Sequence, residues 1–109
     1  MGDKVQQEWW GHQLDAVMEQ IAREAWICDV KLLDPGMIEA VLQDNAAACG
    51  STNPVAFKKL RDLLMMGFVV REKAFDRMGA DEADAMIRVI RESLQKRFGD
   101  RLGGASGRT

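Results

Sequence analysis

Two helix-start signals and two stop signals constrain this chain most. It has only two prolines, and each follows a good capping residue: Asp34-Pro35 and Asn53-Pro54. Asp or Asn at an N-cap accepts a backbone N–H of the first turn, and Pro at the first helical position gives up a donor that had no partner there. Gly50 suits the left-handed position that ends a helix, and Gly79 ends a later stretch. Between these marks apolar residues recur at steps of three and four. The pattern predicts an all-α fold, a small four-helix bundle with antiparallel or orthogonal packing. A chain of 109 residues buries roughly two thirds of its unfolded surface, enough for one core. The expected layout is a single helical domain over 5–102, with a disordered N-terminus over 1–4 and a flexible tail over 103–109.

The first helix is expected from about Val5 to about Ile27, with Trp10, Leu14, Val17, Ile21 and Ala25 inward. Beyond Ile27 the chain either stays helical to Leu33 or forms a short extended segment. Asp34 caps a second helix over 35–49, with Ile38, Leu42, Ala46 and Cys49 as its stripe. The third starts at Pro54 and turns Phe57, Leu60, Leu63 and Leu64 inward. Its continuation, Leu63 to Val70, is apolar all round, so periodicity alone separates neither helix from strand. Gly67-Phe68-Val69-Val70 allows a short strand after the third helix. A stripe of Leu60, Leu64, Phe68, Phe75 and Met78 favours helix, at a cost of about 1 kcal/mol for Gly67. Asp81 caps the last helix, which buries Ala83, Met86, Ile87, Ile90, Leu94 and Phe98. Asp84/Arg88, Arg88/Glu92 and Glu92/Lys96 are spaced as ion pairs on its wet side. Met65, Met66, Met78 and Met86 are expected as core filler.

Composition narrows the function classes. With 47% hydrophobic and 29% charged residues, a wholly disordered chain is excluded. No apolar run approaches the roughly 20 residues of a membrane span, and no basic-then-apolar leader opens the chain, so a cytoplasmic protein is expected. Net charge is −2, unevenly spread: residues 1–50 are strongly acidic and 51–78 carry six basic residues against three acidic. That basic excess permits an anionic partner without demanding one.

Catalytic chemistry is sparse. There is no Tyr and a single His, His12, which projects about 170° from the apolar stripe of the first helix. Cys28 and Cys49 lack the spacing of a zinc or redox pair and read as buried thiols. Asp81, Glu82 and Asp84 suit the positive end of a helix dipole. No nucleophile, base and metal set assembles, so no enzyme, metal or cofactor is expected.

One feature points to a partner. Trp9 and Ile27 lie about 130° from the core centre of the first helix, and Trp26 also points away. Either the helix is sandwiched and both faces are core, or the second face is exposed and large aromatic residues anchor an interface. The expected function is a non-enzymatic protein–protein interaction module, as a homodimer or with another protein, with Trp9, Trp26 and Ile27 as its contacts.

Residues 42–70 suggest an alternative. Ala46-x-x-x-Gly50, a short polar turn, then Pro54-Val-Ala-Phe-Lys-Lys-Leu-Arg-Asp-Leu-Leu and Gly-Phe-Val-Val-Arg-Glu resembles the helix-turn-helix portion of winged-helix regulators. The resemblance implies a small DNA-binding regulator using residues 53–61. Lys58, Lys59 and Arg61 would face DNA, with Arg71 and Lys73 on or near a wing.

Overall fold

A computed structural model describes residues 2–99, without the side chains of residues 2–4 and 6. Five helices follow one another: α1 (Gly2–Ile27), α2 (Met37–Leu42), α3 (Ala46–Cys49), α4 (Pro54–Met78) and α5 (Ala80–Phe98). Met1 and the tail expected over 103–109 lie outside the described residues.

α1 ends where its last turn closes on itself. Asp29 takes the left-handed conformation (φ 63°), its N–H bonds the Trp26 carbonyl, and the Val30 N–H bonds the Ala25 carbonyl at 2.8 Å. This Schellman closure brings Val30 against Ala25, both with no exposed surface. The chain therefore leaves the helix at Cys28, and Val30 and Leu32 enter the core from a non-helical segment. The same closure recurs at Asp44 (φ 61°), with Asp44 N–H to Val41 and Asn45 N–H to Ala40. Asn45 then caps α3, its side chain accepting the Ala48 N–H at 3.2 Å.

α4 begins as expected, with the Asn53 side chain accepting the Ala56 N–H at 3.1 Å and Pro54 following it. It runs unbroken to Met78 through Gly67. One residue, Gly79 (φ 94°, ψ 153°), is both its end and the start of α5. That backbone region is almost confined to glycine.

Contacts fix the direction of the three long helices. The Thr52 N–H bonds the Cys28 carbonyl, so α4 starts beside the end of α1, and midway Gly67 lies against Ile21. α4 is therefore antiparallel to α1. Gln7 meets Glu82, Gly11 meets Met86 and Trp26 meets Phe98, so α5 runs parallel to α1. α1 is the spine, and α4 packs closely along it. α4 and α5, joined at Gly79, diverge across α1. The result is flat, 47 × 31 × 19 Å. Leu14, Leu60, Val30, Val41 and Cys28 are the largest fully buried side chains. Among the described residues no helix is long and apolar enough to cross a membrane.

Several expectations are corrected. Three long helices and two short ones replace four main helices. The expected helix over 35–49 is divided, because Gly36 (φ 79°) delays its start to Met37 and Asp44 turns the chain after Leu42. No strand follows the third helix among the described residues; Gly67 to Lys73 is α-helix. Asp81 is not the cap of α5 but sits with Glu82 in its first turn. None of the three expected ion pairs on α5 forms, because spacing permits such pairs without holding two solvated side chains together. Met65 and Met66 are not core: α1 covers one side of α4 only, and these two face solvent.

Candidate functional site

Trp9, Trp26 and Ile27 are each about half exposed, so the second face of α1 is not sandwiched in this chain. They do not form one patch. Trp9 and Ile27 share a line along α1 but are about 27 Å apart, at 1.5 Å per residue. The Trp9 ring packs edge-on against Trp10 at 4.6 Å, whereas Trp26 is turned about 100° from Ile27 and packs on Phe98 at 6.4 Å.

A tighter group occupies the middle of α4. Met65, Met66, Phe68 and Val69 are 51%, 55%, 43% and 53% exposed, four large apolar side chains within five consecutive residues. Sequence reading placed the methionines and Phe68 inside. The available signal was the uninterrupted apolar run from Leu63 to Val70. In a helix with partners on one side only, part of such a run must face outward.

The basic residues expected for DNA contact all lie on α4 but are not gathered. Lys58 and Lys59 are exposed near its start. Arg61 is half-buried, its Nε donating to the Leu42 carbonyl at 3.3 Å, which ties the start of α4 to the end of α2. Arg71 lies about 18 Å beyond Lys59 along the axis, with its guanidinium 4.6 Å from the Phe75 ring centre. Arg71 and Lys73 belong to a helix, not to a wing.

A cleft of about 430 Å³ opens where α4 and α5 diverge. α1 supplies its floor through Leu14, Met18 and Ile21, and Leu32, Leu33 and Ile38 close one end. Arg71 stands on the α4 wall, and Asp84, Arg88 and Arg91 on the α5 wall. Sequence reading assigned no role to Arg91 and gave Arg88 only ion pairs along its own helix.

Ordinary reactive groups are quiet. His12 is exposed. Cys28 and Cys49 are free and buried, and burial pushes both thiols up from their usual range. The Ser51 hydroxyl beside Cys28 opposes that rise, yet it is buried without a hydrogen bond of ordinary geometry. Among the described residues no three His, Cys, Asp or Glu side chains converge as around a metal ion. Glu19 joins Arg23 at 2.7 Å and Arg97 at 3.8 Å, and the hydrogen bond from Arg23 holds its carboxyl below the ordinary range.

Comparison with protein families, characterised proteins and solved structures finds no match to this chain.

Proposed function

We propose that this chain is a non-enzymatic interaction module that acts as a homodimer, its two α4 helices packed antiparallel through their solvent faces, across a two-fold axis level with residue 67. The exposed pair Met65 and Val69, one turn apart and about 40° from each other on the solvent face of α4, is the observation that carries this reading. Methionine adapts its shape to a partner, and large apolar side chains left exposed together on one helix face suit an interface.

Self-complementarity selects a second copy as the partner. At 100° per residue, Lys58, Asp62, Met65, Val69, Lys73 and Asp76 fall within an arc of about 80°. All six are exposed. A two-fold axis at residue 67 sets Met65 opposite Val69 and Lys58 opposite Asp76, with Asp62 beside Lys73. Each contact then occurs twice, as an isologous interface requires. Glu72 facing Asp62 is the unfavourable juxtaposition, and Lys73 lies next to it. A single helix pair is at the small end of interface sizes, so dissociation is expected on the order of 1–100 μM.

Sedimentation over a range of concentrations tests this. Met65→Glu should leave only monomer. Lys58→Glu and Asp76→Lys should each weaken dimerisation several-fold, and both changes in one chain should restore it. A wild type that stays monomeric at 1 mM, or a double variant no better than the single ones, overturns the proposal.

A further inference from the structure

The cleft between α4 and α5 combines features that no packing role explains. Its floor and walls are apolar, with Leu14, Ile21, Leu64 and Leu94 among the lining residues. Its rim carries Arg71, Arg88 and Arg91 against a single acid, Asp84, in a chain whose net charge is −2. Arg88 and Arg91 are exposed and make no ion pair with any described residue, although Asp84 stands one turn from Arg88. Three exposed cations at the rim of an apolar trough present a positive edge that suits an anionic group.

Size and chemistry choose the occupant. The volume lies within the range of small-molecule pockets, about 300–1,000 Å³. An extended peptide would bring backbone N–H and C=O groups onto a floor made of helix side chains, where no strand edge pairs with them. An alkyl chain has no such groups. A carboxylate at its end matches the planar fork of a guanidinium, which binds it through two parallel hydrogen bonds.

We infer that the α4–α5 cleft binds a single-chain amphipathic carboxylate, with the alkyl chain along the α1 floor and the carboxylate held by Arg88 and Arg91. This site differs from the dimer surface: Phe68 borders both, but neither arginine of α5 belongs to the α4 face.

Calorimetric titration with monomeric dodecanoate tests the inference, with dodecyltrimethylammonium as the same chain bearing the opposite charge. One equivalent of dodecanoate should bind saturably, and the cation should bind at least tenfold more weakly. Arg88→Gln with Arg91→Gln should weaken dodecanoate at least tenfold without changing the thermal midpoint, since both side chains are exposed and unpaired. Lys96→Gln, which removes a positive charge from α5 outside both the cleft and the dimer face, should bind as wild type does. The inference is overturned if dodecanoate does not saturate, if the cation binds equally, or if the arginine variant binds unchanged. Binding only to anionic phosphatidylglycerol vesicles, with none to the monomeric acid, overturns it too.

Discussion

Replacing glycine by alanine at two places in this chain should move stability in opposite directions. At Gly67, inside α4, alanine is favoured by about 0.8–1.0 kcal/mol on helix propensity. The new Cβ would stand 3.1 Å from the Ile21 Cδ1 and 3.9 Å from the Val17 Cγ2. Comfortable carbon contacts begin near 3.5 Å, so the Ile21 methyl must move about 0.4 Å. It is the end of a side chain bordering the open cleft, and a rotation of about 20° achieves this, at a cost below the roughly 0.5–1.5 kcal/mol of a 30° departure. The net expectation is a gain of about 0.5 kcal/mol, or roughly 2–4 °C in Tm for a domain of this size. At Gly79 no atom lies within 4 Å of the added Cβ, so only backbone conformation counts. With φ at 94° and ψ at 153°, alanine should lose about 1–3 kcal/mol. Urea unfolding followed by far-ultraviolet circular dichroism, at one fixed protein concentration, measures both. A loss above about 1 kcal/mol at Gly67 would mean that Ile21 cannot yield and that α1 and α4 meet too rigidly for this reasoning. A neutral Gly79→Ala would refute the single-residue turn.

Two further outcomes follow from local chemistry. Asn53→Ala removes the acceptor for the Ala56 N–H and should destabilise by about 1 kcal/mol in the same unfolding assay, while Asn53→Asp should recover most of it. The buried thiols of Cys28 and Cys49 should resist an aromatic disulfide reagent in the native protein at neutral pH and react fully in urea; rapid stoichiometric labelling of the native chain would contradict their burial. Because their folded pKa values are raised, the stability they contribute is complete below the ordinary thiol range and is lost as pH rises from that range through the higher folded values, so the urea midpoint should fall on alkalinisation and fall less in a Cys28→Ala, Cys49→Ala chain.

What could be read from the sequence was whatever local bonds decide. Asn53-Pro54 starts α4 because a side chain three residues away satisfies the Ala56 N–H, and no distant residue enters into it. The buried face of α1 was legible because polar residues flank it and give it a phase. Asp34-Pro35 misled because Gly36, in a left-handed conformation, sets the start of α2 instead. Asp29 and Asp44 were invisible as stops, since aspartate adopts positive φ only where the chain's path requires it. The outward Met65 and Met66 were equally hidden: a segment apolar on every side carries no phase, and the number of neighbouring helices decides which residues remain wet. The cleft was out of reach for a related reason. It exists because α4 and α5 diverge from Gly79 across α1, a tertiary geometry that brings Arg71 near Arg88 and Arg91 without any trace in their spacing.

The parallel run of α1 and α5 has a mechanical consequence. With three long helices going up, down and up, Gly2 and Gly99 lie at opposite poles of the molecule. A force pulling those two positions apart loads the α1–α5 contacts lengthwise, so Gln7, Gly11 and Trp26 slide against their neighbours together. Pulling instead between Pro54 and Gly99, which share a pole, peels α4 from α5 one turn at a time towards Gly79. The same fold should therefore yield at a higher force when stretched end to end than when opened like a hinge.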